Sequence, residues 1–208
     1  MSFVAPPVRI PLVLRALLWI AEGRLGRKLI ANRILTLYPK AFLGSGIMEA
    51  LVSHGDAEVS RRLLSLVRIY TSFLVSCPFC IDLNSREFER KGISEQEIRA
   101  LQGKIPMDDV STLTTREKAA LRYVECMSRT PVEFTTQAVE DILKYFSPRG
   151  FVILASTCAQ VNFWTRLIQS LGVPPAGFSS ECSVLDLEAY ATLKGSPQGL
   201  TIPPHGSA

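Results

Sequence analysis

The sequence predicts an all-α domain of about eight to ten helices. Apolar residues recur at spacings of three and four across residues 57–75, the period of a half-buried helix. Two stretches, "SEQE" from Ser94 and "TTRE" from Thr114, have the form of capping boxes, in which a hydroxyl and a carboxylate satisfy the free amides of a helix start. Nothing reads as a β-hairpin.

The elements follow in order. Residues 10–21, "IPLVLRALLWIA", are apolar and interrupted by Arg15. A transmembrane helix needs about 20 apolar residues, and the run falls short. The following "EGRLGRK" lacks the small residues of a signal-peptide cleavage site. The expectation is a buried or interface helix of a cytoplasmic protein with no membrane span. In the helix over 57–75, Val59, Leu63, Val67, Tyr70 and Leu74 share a face. A second helix is expected over 79–91, with Pro78 in its first turn, where a missing N–H costs nothing. Gly92 ends it, with Arg90 and Lys91 suiting the negative end of the helix. The Ser94 box, with Glu97, opens the next helix, and the Thr114 box, with Glu117, opens one running to about Ser128. Thr136 is expected to cap a helix through Tyr145. A long apolar helix runs from about Pro148 to Leu171, stopped by Gly172 and by Pro174 and Pro175. The chain reads as one domain over 1–195 followed by a flexible tail over 196–208 ending in "SPQGLTIPPHGSA".

Composition narrows the function. At 208 residues, 47% apolar and 20% charged, the chain can bury a core without staples, which excludes a disordered class. A net charge of +4, with only a mild excess of Arg and Lys in the first forty residues, lacks the clustered basic face of a nucleic-acid partner. The five cysteines are odd in number and irregular in spacing, unlike a secreted disulfide framework. In a reducing compartment a cysteine pair is catalytic or metal-binding more often than structural.

That pair is Cys77 and Cys80, in "SCPFCIDLNSREFERKG". It sits at a helix start, where free N–H groups and the helix dipole stabilise a thiolate. Residues three apart on one turn also have Cα atoms about 5–6 Å apart, within reach of a disulfide. Three readings are open: a redox dithiol, half of a metal site, or two small core residues. Zinc needs four ligands, and the only histidines are His54 and His205, with no second CxxC. No metal and no organic cofactor are expected.

The segment "SCPFCIDLNSREFERKGISEQEI" resembles the alkylhydroperoxidase D-like and carboxymuconolactone decarboxylase family, in which a CxxC opens a helix and a "G-[IL]-S-x-E" follows it. "LLSLVRIYTSFLVSC", "EKAALRYVECMSRTP" and "FSPRGFVILASTCAQVNFWTRLIQSLGVPP" look like its flanking helices, so the resemblance covers about residues 35–178. It implies an all-helical, homo-oligomeric fold and thiol-dependent peroxidase or disulfide-reductase chemistry. A small hydroperoxide would be the substrate and an external dithiol protein the reductant. By position, Cys80 would attack the peroxide and Cys77 would resolve it. The peroxidase members carry a histidine four residues after the second cysteine and a glutamate twelve before the first. Here those positions hold Asn84 and Ser65, so the relay that deprotonates the thiol is absent. Asn84 hydrogen-bonds but accepts no proton near neutral pH. The alternatives are a non-catalytic helical assembly or ligand-binding protein that keeps the fold, or a lactone decarboxylase-like enzyme, whose branch does not depend on a CxxC.

Other residues are ranked beside the pair. Glu87 could share a helix face with Cys80 and Asn84 and act as a base, or be a solvated glutamate. Ser65, Arg68 and Ser72 form a polar stripe that faces either the cysteines, where Arg68 would favour a thiolate, or solvent. Asp82 is expected on an exposed face. Cys126 and Cys158 read as core, Cys182 as an exposed loop thiol, Phe163 and Trp164 as core or interface, and Arg166 as a candidate for a substrate carboxylate. His54 reads as a helix C-terminal cap.

Overall fold

The structure, a computed structural model, describes residues 2–52 and 55–179. The described residues form nine α-helices and two short 3-10 turns, with no strand among them. The helices are α1 (Leu12–Leu25), α2 (Ile30–Leu35), α3 (Pro39–Val52), α4 (Arg61–Leu74), α5 (Pro78–Asn84), α6 (Glu95–Leu101), α7 (Thr115–Ser128), α8 (Thr136–Tyr145) and α9 (Pro148–Ser170). Expected positions that fall on His54, Cys182, His205 and the tail lie outside the described residues.

Helix α4 is the centre of the fold and packs against α5, α7 and α9. Ser60 caps it, accepting from the Leu63 N–H, so it starts later than the apolar pattern from residue 57 suggests. Val59, just before the cap, is fully buried. Leu66, Val67 and Ile69 are fully buried too, each stabilising the fold by roughly 1.5–3 kcal/mol relative to exposure. They share one cluster with Ile98 and Leu101 of α6, Leu121 and Val124 of α7, and Leu154 of α9.

Both capping boxes form: Ser94 and Glu97 exchange hydrogen bonds at the start of α6, and Thr114 and Glu117 at the start of α7. One residue of α4 joins them. Arg62 donates from Nη2 to Glu97 Oε1 at 2.6 Å and from Nε to Glu117 Oε1 at 2.9 Å. The two glutamates thus cap their own helices and dock them onto α4. Helix α8 is capped by Thr135, one residue earlier than the pattern predicts, because it is the Thr135 hydroxyl that accepts from the Ala138 N–H.

The helix expected over 79–91 is broken. It ends at Asn84, Glu87 adopts a left-handed φ of 50°, and only a 3-10 turn over Glu89–Lys91 follows. Lys91 curls back and donates from Nζ to the Asn84 carbonyl at 2.9 Å, satisfying an acceptor at the C-terminal end of α5.

The N-terminal helices cover one side of α9. Leu14 and Leu18 of α1 pack with Leu35 and Phe42, while Ala31 and Ile34 of α2 enter the cluster that holds the cysteine pair. Glu22 anchors this layer by accepting from the Leu29 N–H and, in two bonds, from Arg33. After α9 the chain turns at Gly172, whose φ of 62° suits a residue without Cβ, and residues 173–179 run back across α5.

Candidate active site

The turn between α4 and α5 places the pair. Ser76 takes a left-handed φ of 49°, and the Cys77 N–H donates to the Ser72 carbonyl. Cys77 is then the N-cap of α5 and Pro78 its first helical residue, as the sequence requires. The two sulfurs lie 2.9 Å apart, both cysteines free. That is longer than the roughly 2.05 Å of a disulfide. Cys77 Sγ also accepts from the Cys80 backbone N–H at 3.4 Å. Cys77 is 0% exposed and Cys80 3%.

The two thiols are not equivalent. The hydrogen bond between the two sulfurs, assisted by the backbone amides of Cys80 and Phe79, holds the Cys77 thiol below its ordinary range against the opposing effect of burial. The same hydrogen bond and burial push the Cys80 thiol well above it. The amides at the start of α5 therefore favour a thiolate on Cys77, the N-cap sulfur. The resemblance orders the pair the other way.

Asn84, one turn after Cys80, donates from Nδ2 to Ser72 Oγ at 2.9 Å, tying α5 to α4 beside the pair. The polar stripe on α4 is not a solvated face. Arg68 donates to Gln160 at 2.7 Å and lies 3.6 Å from Glu49, and Ser72 is fully buried. Glu49, on α3, also accepts from Gln160 and from the Trp164 indole N–H. Ser65 turns back to the Arg61 carbonyl, two helical turns from Ser72. Glu87 stands beyond the end of α5, paired with Arg86 and Arg90, because the helix that would have carried it onto the Cys80 face has ended.

Asp82 is the largest departure from expectation. It is fully buried, and its carboxylate accepts from the backbone N–H groups of Ala176, Gly177 and Ser179 at 2.8, 2.8 and 2.7 Å. The sequence carries no signal for it, since backbone amides have no residue identity. Cys126 and Cys158 are buried in the core as expected. Phe163 is exposed and stacks edge-on against Trp164, while Arg166 is exposed and donates to Thr130.

No family model matches the chain. The uncharacterized protein YdfG of Bacillus subtilis is 24% identical over 118 residues, 56% of this chain and 78% of that one. The debrominase Bmp8, solved as a cysteine-to-alanine variant in complex with 2,3,4-tribromopyrrole, superposes with a TM-score of 0.70 at 16% identity, over 82% of this chain and 90% of that one. An alkylhydroperoxidase AhpD core, an uncharacterized peroxidase-related protein of Ralstonia eutropha JMP134, gives a TM-score of 0.70 at 14% identity, over 84% of this chain and 92% of that one. The chain carries the AhpD-like fold, in keeping with the alkylhydroperoxidase D-like and carboxymuconolactone decarboxylase family that its cysteine segment resembles.

Proposed function

We propose that the protein is a thiol-dependent oxidoreductase whose working group is the Cys77–Cys80 dithiol. The observation that carries this reading is the pair of sulfurs 2.9 Å apart at a helix start, one of them the N-cap. Two sulfurs so placed form a disulfide with little backbone movement. Neither the metal reading nor the core reading needs them in contact.

The proposed cycle balances as follows. The Cys77 thiolate attacks one oxygen of a small hydroperoxide, the O–O bond breaks, and the alkoxide leaves and takes a proton to become an alcohol. Cys77 is now a sulfenic acid. The Cys80 sulfur attacks it, water leaves, and a disulfide remains. An external dithiol protein reduces that disulfide by two exchange steps. The resemblance assigns attack to Cys80, an order that suits members with a histidine–glutamate relay on that sulfur. With Asn84 and Ser65 in those positions, the hydrogen bonds at the start of α5 favour Cys77 instead. Oxidation is slow by the standard of a dedicated peroxidase, since positioned acid–base groups typically contribute about 10²- to 10⁴-fold and none is present at either position.

The test is peptide mapping before and after one equivalent of cumene hydroperoxide. A Cys77–Cys80 disulfide that a dithiol reverses is expected. Two free thiols after oxidation, with modification elsewhere, overturn the reading.

The protein is also proposed to act as a homo-oligomer in the cytoplasm. Leu12, Val13 and Trp19 on α1 and Ile47 and Leu51 on α3 are exposed, and a second copy would cover them. Light scattering that gives a 23.0 kDa particle at micromolar concentrations refutes the oligomer.

A further inference from the structure

Both sulfurs are buried, and a buried thiol reacts only when something opens. Two surface clefts, of about 600 and 450 Å³, are lined by other residues, and neither opens on the cysteines. The cysteines share an apolar cluster with Ala31 and Ile34 of α2, with Ile168 of α9, and with Val173, Ala176 and Phe178 of the segment that follows α9. Phe178 meets Phe79, the residue just before Cys80, edge-to-face at 6.4 Å.

That segment has no secondary structure of its own. It is tied down at one end by the Gly172 turn and at the other by Asp82, with the Arg27 guanidinium 6.0 Å over the Phe178 ring. Asp82 Oδ2 takes the N–H groups of Ala176 and Gly177, and Oδ1 takes that of Ser179. The Ser179 hydroxyl donates to the Asp82 carbonyl at 2.7 Å, so side chain and backbone of one residue hold the strap. Gly177, with a φ of 75°, provides the left-handed step that lets successive amides converge on an anion. Asp82 lies two residues from Cys80 on the same helix, so the latch and the thiol are one rigid unit.

We propose that Asp82 is a positioning residue: it latches residues 173–179 as a strap over the Cys77–Cys80 pair, and the strap sets the size of the oxidant that reaches the sulfurs. Small movements of the strap admit small hydroperoxides, whereas bulky electrophiles enter only when the latch releases. The proposal deepens the dithiol reading and rests on it for its biological meaning. Access itself is measurable without any redox chemistry.

The experiment compares iodoacetamide with 5-iodoacetamidofluorescein, which carries the same reactive group on a large body. Labelling is read cysteine by cysteine by mass spectrometry in the full chain and in Asp82→Asn and Ser179→Ala. Asp82→Asn puts an amide NH₂ where one carboxylate oxygen accepts, against at least one backbone N–H. At Cys77 and Cys80 the ratio of the bulky to the small reagent's rate should rise at least tenfold in Asp82→Asn and at least threefold in Ser179→Ala. Cys126 and Cys158, buried in the main body, are the internal control and should keep their rates. An unchanged ratio in Asp82→Asn overturns the proposal, as does acceleration of all four thiols in step, which is global unfolding. If Asp82→Asn does not fold, Ser179→Ala decides by the same ratio. A protein in which the ratio moves but no Cys77–Cys80 disulfide ever forms keeps the strap and loses the dithiol function.

Discussion

The charge on the dithiol can be located by one contrast, Cys80→Ser against Cys80→Ala. Both variants keep the backbone N–H of residue 80 that Cys77 Sγ accepts at 3.4 Å, and both keep the strap. They differ in whether position 80 still donates a hydrogen bond to Cys77. Serine does; alanine does not. A hydrogen bond to a charged group contributes roughly 1.5–3 kcal/mol net, and each 1.4 kcal/mol is about tenfold. The thiolate fraction of Cys77 below its titration, and with it the alkylation rate, should therefore be about 10- to 150-fold lower in Cys80→Ala than in Cys80→Ser. Opening of the site is common to both variants and cancels in the ratio. The assay is iodoacetamide labelling at pH 7 with Cys77 followed by mass spectrometry. Equal rates in the two variants refute the claim that Cys80 holds charge on Cys77. Faster labelling of Cys80 in Cys77→Ser than of Cys77 in Cys80→Ser places the charge on the other sulfur and restores the order that the resemblance implies.

Three further outcomes are expected. Asn84→His places an imidazole one turn from Cys80 and should move the site of sulfenic-acid trapping from Cys77 toward Cys80 in single-turnover oxidation; a trap that stays on Cys77 contradicts the idea that the missing base sets the order. Arg62→Met leaves Glu97 and Glu117 without their shared cation; losing one partner of a buried pair costs about 3–5 kcal/mol, and the partial exposure of Arg62 lowers that to roughly 2–3 kcal/mol in urea unfolding. Burial pushes Glu97 up, but Arg62, the Ser94 amide and the Thr112 hydroxyl outweigh it and hold the carboxyl low. That stability is present above the ordinary carboxylate range and lost as pH falls through the lowered folded value, more steeply in wild type than in Arg62→Met. Burial, with Arg68 and Arg86 nearby, lowers Lys91 to about 8 against the attraction of Glu87. Between about pH 8 and 10 the unfolded chain then binds more protons than the folded one, so wild-type stability should rise with pH relative to Lys91→Met; parallel curves would contradict the shift.

What could be read in the sequence is what closes within a turn or two of helix. The capping boxes at Ser94 and Thr114 need residues three apart, and the dithiol needs Cys77, Pro78 and Cys80 in that order; all of these formed. Helix α2 escaped notice because six residues are too few to show a period, and α3 because its exposed side is apolar too. Leu43, Ile47 and Leu51 face outward on α3 while Phe42 faces inward, so little contrast marks a period. The break after Asn84 was hidden because the left-handed position is Glu87, not a glycine.

The interactions that shape the site were illegible for a different reason: their partners are far apart in the chain. Arg62 meets Glu97 and Glu117 at separations of 35 and 55 residues, and Asp82 meets amides 94 to 97 residues away. Read from its neighbours alone, Asp82 is a polar residue on the outer face of a short helix, and an exposed position is the natural expectation. Three backbone amides arriving from beyond α9 offset the desolvation of its carboxylate and make burial favourable. The same long-range logic decides the stripe on α4. Arg68 and Ser72 face inward because Gln160, Glu49 and Asn84 come to meet them. The cysteine pair is thus specified locally, while what covers and surrounds it is specified by the fold. A relative that keeps the CxxC but lacks an acid at position 82 should therefore keep the dithiol and lose its size selection, a comparison that separates the two contributions without any substitution in this chain.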